Sequence, residues 1–174
     1  MGDEATDTFT GFVSENYTAL VRYAYALVAD KPKAEDLVQS ALVKTLGAWP
    51  RLCEDGGGVA YTKVVMARSA WRAAKRWWRR EVPTEPLPEA PQPLDRFDEV
   101  DDADVVKRAL RSLPQDQRVV LVLRFLDGLS VAETAERLGC PAGTVKSRTA
   151  RSLDALRQMH LLDGELPSTP REGD

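Results

Sequence analysis

The chain has 174 residues, 43% of them hydrophobic and 29% charged, a balance that excludes wholesale disorder and leaves room for one compact domain or two small ones. Its longest aliphatic run, Val119 to Leu123, stops at Arg124, far short of the roughly 18–20 apolar residues of a membrane span; Asp3 and Glu4 do not open a signal peptide, so no membrane insertion and a cytoplasmic location are expected. Cys53, Cys140 and His160 stand apart without metal-ligand spacing, so no metal, cofactor or disulfide is expected, and the commonest general base is missing from any interior site.

Phe9, Phe12, Val13, Tyr17, Leu20, Val21, Ala24, Leu27 and Val28 recur at three- and four-residue steps, which predicts a first amphipathic helix. Asp30 is a candidate cap for the next, with Pro32 tolerated in its first turn. Leu37, Val38, Ala41, Leu42, Thr45, Leu46 and Trp49 carry the periodicity to an expected end at Pro50. After the glycines at 56–58, a third helix is expected to about Arg80, packing through Ala60, Val64, Ala67, Trp71, Ala74 and Trp78.

Five prolines between 83 and 93, mixed with acids, predict a flexible linker over 82–100. A helix from about Asp101 to Ser112 follows, its acidic start suited to the helix dipole. Another runs from Gln115 to Leu126, closed by Asp127-Gly128. Ser130 with Glu133 makes a capping box for a short helix ending at Leu138-Gly139, and Pro141 opens a last helix to about Arg157. No strand alternation appears. The expected fold is all-α: two small helical domains, 9–81 and 101–160, joined by the Pro/acid-rich linker, with a disordered tail over 161–174.

The net charge of −3 hides segregation. Residues 1–62 carry −4, residues 63–80 carry +7 with no acid, residues 81–104 carry −8, and residues 105–174 carry +2. Arg68, Arg72, Lys75, Arg76 and Arg79 share one side of the third helix, and Tyr61 lies on the same face. Such a face can be a solvated surface, but unpaired like charges at helical spacing cost stability, so an anionic partner such as DNA phosphate is the functional reading. Trp71 and Trp78 fall on the apolar stripe and read as core; Trp77, at its edge, is the candidate for base stacking. The segment from Ser130 to Arg157 has the pattern of a helix-turn-helix, with Thr144, Lys146, Ser147 and Arg151 outward and Val145, Leu153 and Leu156 inward. A plain helical hairpin with a basic surface is the alternative.

Four motifs, Ala34 to Gln39, Leu113 to Leu121, Leu129 to Glu133 and Gly143 to Arg148, resemble in order the signatures of the extracytoplasmic-function sigma factors, a group of the sigma-70 family, in an actinobacterial-like form. The resemblance implies a transcription initiation factor, not an enzyme, with a region 2 domain and a region 4 domain. It implies core RNA polymerase as partner, with Asp36, Leu37, Gln39 and Lys44 toward the β′ clamp helices and region 4 on the β flap. It implies contact of Tyr61, Arg68, Ser69, Arg72, Lys75, Arg76, Trp77, Arg79 and Arg80 with the −10 element. Thr144, Lys146, Ser147, Arg148 and Arg151 would read the −35 element. An anti-sigma factor is a candidate further partner. Ser69 stands where many members carry asparagine, and Arg72 where aspartate is frequent. The alternative reading is a free-standing dimeric helix-turn-helix regulator of an operator.

Overall fold

The computed structural model describes the backbone of residues 2–80 and 102–158, with side chains over 8–76 and 106–158. The expected linker and tail lie outside the described residues. All regular structure among the described residues is helical, in seven helices. Helix α1 (Gly2–Val28) starts well before the expected Phe9 and ends at Ala29, which takes a left-handed conformation with φ 54°. That conformation costs a residue with a Cβ about 1–2 kcal/mol. Asp30 caps α2 (Lys31–Asp55), its carboxylate accepting from the Lys33 amide at 2.9 Å.

Helix α2 does not end at Pro50. It continues one more turn to Asp55 and closes at Gly56, which has φ 64° and donates its amide to the Leu52 carbonyl. Proline removes one backbone donor, but Pro50 is exposed and Trp49 beside it is anchored: its ring packs on Phe9 and Phe12 at 5.1 and 4.8 Å, and its Nε1 donates to Thr8. Helix α3 (Gly58–Arg80) begins where a Cβ on Gly58 would stand 2.9 Å from both the Phe12 and Trp49 rings. Only a glycine lets the three helices converge there.

The buried stripe of α3 is offset from the expected one. Ala60 is exposed, and Thr62, Met66, Ala67, Ala70, Trp71 and Ala74 are buried. Thr62 is admitted because its hydroxyl bonds the Gly58 carbonyl at 2.7 Å and meets the Thr45 hydroxyl at 2.9 Å, which satisfies a polar group that would otherwise be costly to bury.

The C-terminal half comprises α4 (Asp102–Ser112), α5 (Gln115–Leu121), α6 (Val131–Leu138) and α7 (Ala142–Gln158). The last turn after α5, Val122–Leu126, winds as a π helix, with the Asp127 amide donating to the Val122 carbonyl at 3.0 Å. Helix α6 carries the expected reciprocal capping box of Ser130 and Glu133 and closes on left-handed Gly139.

The two halves share one hydrophobic core. Leu20 and Leu27 of α1, Val38 of α2 and Met66 and Trp71 of α3 join Val119 and Val120 of α5, Leu123 in the π turn, Leu138 of α6 and Val145 of α7 in a single buried cluster. Polar bonds reinforce the junction. The Arg118 guanidinium, buried, donates to the Leu27 and Val28 carbonyls at the end of α1 and to the Leu110 carbonyl. Gln115 Nε2 donates to the Ala70 carbonyl at 2.8 Å. Cations at a helix C-terminus satisfy orphan carbonyls and complement the macrodipole.

Candidate nucleic-acid interface

Helix α3 has two chemically opposite sides. Inward it presents Met66, Ala67, Ala70 and Trp71 to the core; outward it presents Arg68, Arg72, Lys75 and Arg76 to solvent. Arg72, Lys75 and Arg76, with the half-buried Ser69, line an open groove whose other wall is Lys44 of α2. Four cations and no carboxylate therefore border one groove. Its positive potential is suited to track a polyanion backbone. Tyr61 lies half-buried two turns away on α3. The side chains of Trp77, Trp78, Arg79 and Arg80 lie outside the described ones.

Lys44, expected with Asp36, Leu37 and Gln39 toward core polymerase, lines the α3 groove. Asp36 and Gln39 are exposed on α2, while Leu37 is half-buried against the core. Two apolar residues join that outer face: Val43 is 71% exposed and Leu46, expected in the buried stripe, is 47% exposed. Sequence reasoning missed this apolar strip because Leu46 was credited to the buried stripe and Val43 was given no place. An excess of apolar positions over what one face can hold was the available signal.

In α7, Val145 and Ser152 are buried, Leu153 and Leu156 half-buried, and Lys146, Ser147 and Arg151 exposed, as a reading helix requires. Thr144 is half-buried, and its carbonyl accepts from the Ser147 hydroxyl at 3.1 Å. Arg148 departs from this set. Its Nε donates to Asp116 Oδ2 at 2.7 Å, and its guanidinium lies 5.1 Å from the centre of the Trp71 ring. Lys75 Nζ stands 5.3 Å from the same ring. Trp71, 2% exposed, is thus a core residue as expected, held between cations from both halves.

Asp127 forms a second junction. Tyr23 Oη donates to it at 2.6 Å and Lys63 Nζ at 3.1 Å, with Lys63 also 4.6 Å from the Tyr23 ring centre. Burial first, then the bond to Asp127, push the Tyr23 phenol well above its usual range. Cys140, in the turn before α7, has its thiol pushed up by burial, which argues against a reactive thiolate. Among the described residues, no group of three His, Cys, Asp or Glu could hold a metal ion, and no helix is long and apolar enough to cross a membrane.

Comparison with known proteins converges on one family. Residues 12–83 match sigma-70 region 2 and residues 103–156 match sigma-70 region 4. The chain is 39% identical over 154 residues to the RNA polymerase sigma-E factor of Streptomyces coelicolor, covering 86% of this chain and 84% of that one. It is 32% identical over 161 residues to the ECF RNA polymerase sigma factor SigD of Mycobacterium bovis, covering 84% and 74% respectively. A solved structure of the sigma factor RpoE in complex with the anti-sigma factor NepR from Bartonella quintana is similar with a TM-score of 0.56 and 28% identity, covering 90% of this chain and 99% of that one. With regions 2 and 4 in order, a cation-lined groove on the first and a capped helix-turn-helix in the second, the chain belongs to the extracytoplasmic-function sigma factors of the sigma-70 family.

Proposed function

We propose that the chain acts in the cytoplasm by binding core RNA polymerase and directing it to a set of promoters. Residues 9–81 serve as the region 2 domain and 101–160 as the region 4 domain, with 82–100 the tether and 161–174 a tail. The observation that carries this reading is the groove bordered by Lys44, Arg72, Lys75 and Arg76 without a carboxylate, on the same chain as an outward-facing Lys146, Ser147 and Arg151. Tyr61, Arg68, Ser69, Arg72, Lys75 and Arg76, with Trp77, Arg79 and Arg80, engage the −10 element; Lys44 is reassigned to this group. Thr144, Lys146, Ser147 and Arg151 read the −35 element, with Arg148 joining them once its bond to Asp116 is released.

Asp36, Leu37 and Gln39 face the β′ clamp helices, and the exposed Val43 and Leu46 give that contact an apolar centre, the composition of a protein interface. Region 4 rests on the β flap, and an anti-sigma factor of the kind bound by the Bartonella relative competes for these faces. The chain performs no covalent chemistry. Opening the duplex costs a few kcal/mol of unstacking, which stacking and phosphate contacts offset.

Run-off transcription with core polymerase, with and without the chain, on genomic promoter fragments tests the reading. Discrete new starts sharing a two-part upstream motif are expected. A chain that leaves initiation unchanged and footprints a palindromic operator as a dimer would replace it with the regulator reading.

A further inference from the structure

Between α3 and α6 lies a second crevice, of about 180 Å³, walled by Arg68, Trp71 and Arg72 from the region 2 half and by Glu136 and Arg137 from the region 4 half. None of the three arginines forms an ion pair with a carboxylate among the described residues. Arg68 Nε donates to the Arg137 carbonyl at 2.9 Å, one bond from a group with five donors. Trp71 forms the inner wall. It is buried, yet its indole Nε1–H meets no acceptor, an expensive omission in a packed interior.

Among the side chains that line the crevice three are guanidinium groups, and Glu136 is the one carboxylate. Three guanidinium planes match a tetrahedral oxyanion, which is all acceptor and pairs with arginine forks. The volume lies below the roughly 300–1,000 Å³ of drug-sized pockets and has room for a small anion.

We propose that this crevice is a binding site for a small phosphate-class anion, held by Arg68, Arg72 and Arg137, which pins the two halves together. It deepens the sigma-factor reading, because Arg68 and Arg72 belong to the face assigned to the −10 element. An anion seated there withdraws two cations from promoter DNA and favours the arrangement in which region 4 covers Trp71.

The full-length ¹⁵N-labelled chain is titrated with inorganic phosphate at constant ionic strength, following the indole N–H signals of Trp71 and Trp49 by NMR, with Trp71→Phe fixing the assignment. The Trp71 signal should move saturably while that of Trp49 stays. Arg137→Gln should weaken the apparent affinity at least tenfold, and Glu136→Gln should tighten it severalfold; a folding defect would not drive the two variants in opposite directions. A linear, unsaturable shift, or Arg137→Gln titrating like the parent, overturns the site.

A single-stranded oligonucleotide in phosphate-free buffer forms the second arm. If it moves Trp71 in an Arg137-dependent way and inorganic phosphate does not, the crevice belongs to the DNA path and the proposal fails. Run-off transcription in phosphate-free buffer judges the sigma-factor reading separately. Transcription without phosphate binding discards only the anion site, and phosphate binding without transcription discards only the reading.

Discussion

The junction between the halves and the outer groove of α3 are built on opposite electrostatic rules, although one helix contributes to both. In the buried part of the junction, inward of the crevice of Arg68, Arg72 and Arg137, charges find partners: Arg148 meets Asp116, Lys63 meets Asp127, and Arg118 meets three backbone carbonyls. In the groove Lys44, Arg72, Lys75 and Arg76 stand together with no acid among the lining residues. Pairing of this kind holds a fold together, because a buried charge without a partner is expensive. Like charges left together in solvent gain nothing for the fold, and their use lies in what they attract. The same residue type thus means stability on one side of α3 and recognition on the other.

The sharpest test of this contrast is Trp71→Ala, which removes the largest side chain of the shared core. It should cost about 3–5 kcal/mol in denaturant unfolding. Arg118→Ala should follow at about 2–3 kcal/mol, since it strands the Leu27, Val28 and Leu110 carbonyls, and both variants should unfold in one transition if the halves form one cooperative unit. The groove should behave inversely. Arg72→Gln should leave the unfolding free energy within about 0.5 kcal/mol, yet reduce by about one the salt slope of promoter binding by the polymerase complex. A large stability loss in Arg72→Gln would break the distinction.

The smallest effect concerns pH. The Tyr23 phenol titrates higher in the folded chain than in the unfolded one, so the stability it contributes is complete below its unfolded value, about 10, and is lost as pH rises beyond that point. Tyr23→Phe should therefore be less stable than the parent at neutral pH and should lose less of its stability between pH 9 and about 11. Equal slopes for the two proteins would remove Tyr23 from the alkaline titration.

Helix ends were the most legible part of the fold, because their signals are side chains: Asp30 over the Lys33 amide, the Ser130–Glu133 box and Gly139 all stand where the sequence places them. Pro50 misled, since a lost amide matters little on an exposed turn whose neighbour Trp49 is locked by two rings. Thr62 was missed and Ala60 wrongly credited, because a threonine enters a core only when a partner hydroxyl, here that of Thr45, awaits it. The union of the two halves was not legible at all. Arg118, Gln115 and Arg68 reach across to backbone carbonyls, acceptors that every residue owns and that leave no mark in sequence. In the groove, the α3 cations were visible as a charge run, whereas Lys44 arrived from another helix by tertiary packing.

The two assigned promoter elements lie 25 base pairs apart by their own numbering, roughly 85 Å along B-form DNA, while Arg148 of α7 rests against Trp71 of α3. On the proposed reading, the described arrangement belongs to the chain before it reads both elements. Asp127→Asn, which weakens the bonds to Tyr23 and Lys63, should widen the distance distribution between spin labels on the two halves by electron paramagnetic resonance. An unchanged distribution would show that the shared core alone sets the arrangement.

The π turn at Val122–Leu126 sets the phase of this contact. An α-helix advances about 100° per residue and a π turn, bonded i→i+5, takes up one residue more, so the same five residues wound as ordinary α-helix would swing Asp127 about a quarter of the way around the axis, away from Tyr23 and Lys63. The turn works like an extra tooth in a gear: Val119 and Val120 upstream keep mesh with the core, while everything downstream is indexed by one step. In this chain, the winding of one short turn, rather than its length, sets where Asp127 meets Tyr23 and Lys63 and so where the DNA-reading hairpin begins.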